Sequence, residues 1–330
     1  MGVRLFCRFR AGPGLLAALA ACGCVPDFLD DTTHVASARV VAVRSTPAEA
    51  HEGDAVTLDG LVAAPDGAPA AVVGWSLCLD RKPLSELGPV STRCLQSPSP
   101  GSDIAEALDP TPPVTAKLPS DACELFGPER PEPKPGEPSG RPVDPDVTGG
   151  FYQPVLAWIG ATPVLGGVRL ECPLTGASPD ATRDFNARYN PNTNPAPVAL
   201  EAVHADGTSE VLSDGAPHAF TAGESVELRA TLPACDPAAA ACGGAENYVV
   251  YDALDQTIVT QTESIVVSWY ATDGDFSEPR SQALAEDDGS LAAGVTWTLP
   301  GRSVTATVWA VARDDRGGAG WLAGAADIPP

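Results

Sequence analysis

Gly53-Asp54-Ala55-Val56-Thr57-Leu58 returns later in the chain as Gly223-Glu224-Ser225-Val226-Glu227-Leu228, and Val72-Val73-Gly74-Trp75-Ser76 returns as Val266-Val267-Ser268-Trp269-Tyr270. Self-similarity of this kind marks one structural unit used twice. In each copy a turn glycine and an acidic residue lead into a run whose apolar positions alternate with polar ones, as in a strand with one buried face. A later strand then delivers one tryptophan. Alternation over 72–79 predicts Val73, Trp75 and Leu77 on one face, with Val267 and Trp269 matching them, so both tryptophans are expected in cores.

Further strand patterns lie at 38–44, 55–63, 151–159 and 167–172, and then at 198–203, 225–231, 256–262, 265–272, 294–299, 303–314 and 321–328. Turn signals such as Pro65-Asp66-Gly67 separate them, and strands without intervening helices argue for a sandwich over a parallel sheet. One helix is expected at Ser178-Pro179-Asp180, with an N-cap serine and proline at the first helical position; Phe185 and Tyr189 would share its face. Asn190-Pro191-Asn192-Thr193-Asn194-Pro195 marks a boundary. Between 95 and 145 the pattern breaks down, and 129–142 has almost no apolar residue except proline. That stretch reads as a long loop or polyproline spacer inserted in the first unit, with a linker between two smaller units as the alternative.

The repeat resembles the B and C strands of immunoglobulin-like and PKD-like domains, in which a C-strand tryptophan fills the space between two sheets. The run from Trp309 through Arg313-Asp314-Asp315-Arg316-Gly317-Gly318 to Trp321 resembles the last hairpin of bacterial surface modules of this type. The resemblance covers most of 38–329 but identifies no ligand, and neither half has the Cys-Trp-Cys spacing of antibody domains. It implies an all-β chain of two immunoglobulin-like β-sandwiches in tandem. The first would span 37–175 with a proline-rich insertion at 95–148, and the second 196–330, with a linker at 176–195 carrying the short helix.

Arg4, Arg8 and Arg10 precede an apolar run at 15–21, the layout of an export signal, and the run is too short to span a bilayer. Leu19-Ala20-Ala21-Cys22 resembles the lipobox of bacterial lipoproteins. That resemblance implies removal of 1–21, a diacylglycerol on Cys22, and a flexible tether over 22–36. Gly23 stands where an aspartate would resemble an inner-membrane retention signal, so the outer membrane is the expected destination. The net charge of −23 and only three lysines exclude the clustered cations that nucleic acid requires, leaving the lipid as the membrane contact.

In an oxidising compartment the remaining cysteines read as disulfides. Cys235 and Cys242 sit in one short loop and are expected to pair; Cys78, Cys94, Cys123 and Cys172 permit three connectivities, of which we prefer Cys78 with Cys94 and Cys123 with Cys172. Cys24 is the odd one out.

No nucleophile elbow, phosphate loop, dinucleotide fingerprint or zinc-binding pair is present, and the four histidines stand apart. The one candidate for a specific site is acidic: Asp273 and Asp275, Asp287 and Asp288, Asp314 and Asp315, and Asp144-Pro145-Asp146 put hard oxygen ligands in turns, as calcium requires, although Asp and Gly favour tight bends anyway. The expectation is a lipid-anchored envelope protein, not an enzyme and without a cofactor unless calcium. It would be a structural or adhesive module whose partner is an envelope protein or polysaccharide. A carbohydrate- or calcium-dependent recognition protein using loops of the second sandwich is the alternative, followed by a secreted hydrolase.

Overall fold

The computed structural model describes residues 30–82, 90–98, 102–128, 136, 145–160, 162–236 and 242–329. The first part of the chain supplies β1 (Arg39–Thr46), β2 (Glu49–Ala50), β3 (Ala55–Ala63), β4 (Gly74–Cys78), β5 (Ala105–Leu108), β6 (Val114–Lys117), β7 (Phe151–Ile159) and β8 (Thr162–Leu170). Sheet β1-β3-β6 faces sheet β2-β8-β7-β4-β5 across a core that includes Val56, Leu58, Ala116, Trp75, Leu77, Val155 and Val168. α1 (Asp30–Thr33) precedes these strands, and α2 (Ala122–Leu125) lies between β6 and β7. α3 (Pro179–Arg188) follows β8, and the Ser178 hydroxyl accepts the Ala181 N–H at its start, as an N-cap does. The Phe185 and Tyr189 rings meet on one face of it, 5.0 Å apart.

The second part supplies β9 (Ala199–Val203), β10 (Ser209–Val211), β11 (Pro217–Ala219), β12 (Ser225–Leu232), β13 (Asn247–Asp252), β14 (Thr257–Thr262), β15 (Ile265–Ala271), β16 (Asp275–Phe276), β17 (Arg280–Gln282), β18 (Leu284–Ala285), β19 (Leu291–Thr298), β20 (Val304–Asp314) and β21 (Ala319–Ile328). Sheet β10-β9-β12-β19-β16 faces sheet β11-β21-β20-β15-β17, and β13-β14 stands apart as a hairpin packed on α3. The chain is all-β, with immunoglobulin-like sandwiches. Trp269 is fully buried in the second core and Trp75 nearly so in the first.

The repeat is reproduced down to single hydrogen bonds. Gly53 and Gly223 both turn with positive φ, 76° and 74°, which glycine adopts without strain. Gly53 N–H donates to Pro119 O and Gly223 N–H to Pro300 O, each at 3.1 Å; Leu118 N–H donates to Asp54 O and Leu299 N–H to Glu224 O, each at 2.8 Å. The acidic residue after each glycine accepts a backbone N–H three positions back, from His51 and from Thr221.

Three expectations are corrected. Val73 does not share the Trp75 face: β4 begins at Gly74, and Val73 is 62 % exposed while Val72 enters the core instead. Residues 95–148 are not a plain insertion, because β5, β6 and α2 lie within them. Val114 and Ala116 alternate inward from a strand of only four residues, too short to stand out among flanking prolines. Most of 129–144 lies outside the described residues. The proposed tether at 22–36 is not free to its end, since His34 bridges to Ala271 and Val35, buried, donates its N–H to Ala271 O.

The two sandwiches also share an apolar contact. A register shift between Val40 and Ala42 bulges β1, keeping Val40 in the first core while Val41 and Ala42 face outward. They pack with Val35 and Ala63 against Trp309 and Val311 of β20, with Tyr270 and Trp321 beside them. Arg44 lies over the Trp321 ring at 4.1 Å, and Arg313 donates to Val41 O and to the Ser268 hydroxyl. Trp269→Ala is expected to cost about 3–5 kcal/mol in urea unfolding of the intact chain, as for other buried aromatics. Val73→Ala should stay within about 0.5 kcal/mol, and the reverse ranking would contradict the placement of β4.

Candidate functional site

Beside the apolar contact lies a joint of charged groups drawn from both sandwiches and the connection between them. The tight turn joining β20 to β21 presents Arg316: Asp314 accepts the N–H groups of Arg316 and Gly318 at 2.9 and 2.7 Å. The Arg316 side chain is fully buried and reaches Glu49 of β2 and Glu263 before β15, each at 3.2 Å, and Glu246 at 3.8 Å. It also donates to Asn190 O and lies over the Tyr248 ring. Glu49, itself fully buried, is 3.4 Å from Arg169 of β8, accepts the Asn192 N–H at 2.7 Å, and accepts the Tyr189 hydroxyl.

The connection is stitched in throughout. Glu246 accepts from Thr193 and from the Cys242 N–H, so the Cys235–Cys242 disulfide steadies the loop that delivers it. Asn194 donates to Ser45 O in β1 and accepts the Ala319 N–H in β21. Arg169 also donates to the Thr148 hydroxyl and to the Tyr152 hydroxyl, and a Cβ at 150 would fall 2.0 Å from the guanidinium, so any residue but glycine there would displace Arg169 from these bonds.

Burial and electrostatics pull against each other here. Burial, reinforced by the nearby Asp314 charge, pushes the Glu263 carboxyl up to about 8, and burial pushes Asp314 up to about 6. Burial opposes the Arg169 charge, but Glu49 and its neighbours more than offset this and hold its pKa above the ordinary arginine value. Burial raises the Tyr189 and Tyr152 phenols, which stay neutral donors.

A cleft of about 740 Å³ opens directly outside the joint, with Arg169 and Tyr189 belonging to both. α3 and β13 form one wall, and the start of β7 and the end of β8 form the other. Phe151, Phe185, Tyr189 and Tyr251 supply aromatic surface, and Asn186 and the His51–Glu171 pair, 3.4 Å apart, supply polar groups. The size and the mixed lining are those of a small-ligand or chain-binding cleft.

The cysteine pairs are bonded: Cys78 to Cys94, Cys123 to Cys172 and Cys235 to Cys242, with Cα separations of 5.4, 5.7 and 5.5 Å. Cys22 and Cys24 lie outside the described residues. The acidic turns are not gathered into one site. Asp273 is paired with Arg302, Asp275 opens β16, Asp288 accepts from Ser290 beside Asp287 in the turn before β19, and Asp314 faces inward to the joint next to Asp315. Asp146 spends its oxygens on Thr148, Gly150 and Tyr152, and Asp144 lies outside the described residues. Among the described residues no group of three or more His, Cys, Asp or Glu is placed to hold a metal ion. Three of the four histidines that stand apart in the sequence have acidic partners: His204 pairs with Glu224 at 2.7 Å, His218 with Glu210 at 3.0 Å, and His51 with Glu171.

No protein-family model matches the chain, and no curated protein matches it. Solved structures similar at low level include the following three. Dimeric latent PorU from Porphyromonas gingivalis is 10% identical, over 88% of this chain and 24% of that one, with a TM-score of 0.23. A marsupial T cell receptor is 11% identical, over 86% and 99%, at 0.24, and the native conformation of E. coli alpha-2-macroglobulin is 12% identical, over 92% and 15%, at 0.22. The chain thus spans about a quarter of the PorU chain, and similarity at this level transfers no activity, substrate or partner.

No sequence pattern marks Glu49, Glu246, Glu263 or Arg169, and Arg316 stands out only as part of the hairpin run from Trp309 to Trp321. The available signal was Arg169 between Val168 and Leu170 in a chain with few cations. Arg316→Met should cost about 3–5 kcal/mol in urea unfolding, because it leaves buried carboxylates without their cation. Arg44→Ala, at the rim over Trp321, should cost about 1 kcal/mol or less.

Proposed function

We propose that the chain is a lipid-anchored cell-envelope protein acting as a non-enzymatic structural or adhesive binding module that grips its partner in the cleft beside the joint. The cleft is the observation that carries this reading. It lies between the first sandwich and the α3–β13 wall, beside the buried joint, so its walls are set before any ligand arrives, which lowers the entropic cost of binding. Its aromatic lining favours a polysaccharide chain, since rings present apolar faces to sugars while Asn186 and Glu171 offer hydrogen bonds to hydroxyls. This moves the carbohydrate reading from the loops of the second sandwich to the junction.

Three disulfides support an oxidising compartment. With α1 starting at Asp30 and Val35 pinned on the second sandwich, roughly 8 residues separate Cys22 from the described body, a reach of about 28 Å at most, which would keep it near the membrane. Two measurements test the proposal. Cys22→Ala should abolish palmitate labelling and release the protein from the membrane fraction; a mutant that still labels would refute the anchor. Tyr251→Ala should weaken binding to immobilised envelope polysaccharide on the order of tenfold, about 1.4 kcal/mol, without lowering the melting temperature. Unchanged binding would exclude the cleft.

A further inference from the structure

The joint contains more acid than base. Glu49 of β2, Glu246 before β13, Glu263 before β15 and Asp314 at the end of β20 are all buried, and the two guanidinium groups that neutralise them are Arg169 of β8 and Arg316 of the β20–β21 turn. Around them stand Asp315, the Tyr189 and Tyr248 phenols, and Asn192, whose amide nitrogen faces both Asp314 oxygens at 3.4 and 3.5 Å. With every carboxyl ionised, two negative charges would be left without a cation in a place closed to water. An ion left unpaired there keeps none of its hydration, and a buried carboxyl avoids that cost by keeping its proton.

We propose that closing the joint between the two sandwiches takes up a proton, held at Glu263 and Asp314, so that the two-domain body is firmest at acidic pH and loosens progressively as the pH rises through neutral to mildly alkaline. This is a property of the joint, independent of what the cleft binds. Of the four buried carboxyls, Glu263 and Asp314 are pushed up by burial, to about 8 and about 6, and burial raises the adjacent Asp315 as well; each shift is upward from the unfolded value. A carboxyl raised on folding favours the folded state while protonated. The contribution of Glu263 is complete below its ordinary value of 4.5, shrinks as pH rises above that, and is lost by the time pH passes about 8. One proton makes the unfolding constant rise by up to about tenfold per pH unit inside that window. His204, held up by its bond to Glu224, has the same sign, so a comparison of variants is needed, not the wild-type slope alone.

The experiment uses the mature chain. Infrared difference spectra should show the carbonyl stretch of a protonated carboxylic acid at about pH 6.5 that disappears by about pH 9.5, because exposed carboxylates are fully ionised at both values. The band should be reduced or absent in Glu263→Gln and Asp314→Asn. In urea unfolding, Glu263→Gln should flatten the dependence on pH between about 5.5 and 8, with the wild type steeper by up to about tenfold per unit. A wild-type spectrum with no protonated band at neutral pH overturns the proposal, as do equal slopes for wild type and variant. If either variant does not fold, the wild-type spectrum decides alone. Neither readout involves a ligand, so failure here leaves the binding reading standing.

Discussion

One guanidinium ties the ends of the described chain together. Arg316 reaches Glu49, 267 positions earlier, and Glu263 in its own sandwich, and neither partner touches water. Such an ion pair is weak evidence for net stability, because well-packed apolar groups of the same volume often do as well or better. What it supplies is a single registry. The two terminal nitrogens of Arg316 find Glu263, Glu49 and the Asn190 carbonyl together only when β2, the connection and the β20–β21 turn meet at one relative placement. An apolar contact such as that of Val41 and Ala42 with Trp309 and Val311 tolerates sliding, whereas the joint does not.

The two parts therefore behave as one body. The connection after α3 contributes buried Asn192, and its neighbours bond to both sandwiches, so the segment that usually serves as a hinge is here a wedge. A fragment cut at 196 would expose the Trp309 and Val311 face and leave Arg316 without Glu49. The cleft inherits this rigidity, because Arg169 and Tyr189 serve both features.

What was legible in the sequence was whatever repeats along the chain or alternates over a full strand. The glycine turns, Trp75, Trp269 and α3 with its cap are such features, and Trp75 and Trp269 hold matching registers. β6 does not stand out by alternation, although Val114-Thr115-Ala116-Lys117-Leu118-Pro119 matches Val295-Thr296-Trp297-Thr298-Leu299-Pro300, the strand and exit turn that close the same hydrogen bonds in each half. Proline on both sides hid a four-residue strand. The joint was illegible for another reason. Its members lie far apart along the chain, at strand ends and in turns, and nothing local marks a glutamate that will be buried beside an arginine from another sandwich.

The duplication also explains why the two sandwiches meet where they do. Trp75 pairs with Ala157 across β4 and β7, as Trp269 pairs with Ala310 across β15 and β20, so Leu156 and Trp158 occupy the positions of Trp309 and Val311. Each half thus carries the same large apolar face on the outside of the same sheet. In the first half that face is covered from within, by the segment of Val90 and Cys94 bonded to Cys78 in β4. In the second half no equivalent disulfide-bonded cover is present among the described residues, and Val41, Ala42 and Ala63 of the first sandwich lie over the face instead. An exposed patch of this kind invites a partner. Covering one copy with a disulfide-bonded loop leaves a single place for the sandwiches to join, and the buried charges then fix the angle at which they do.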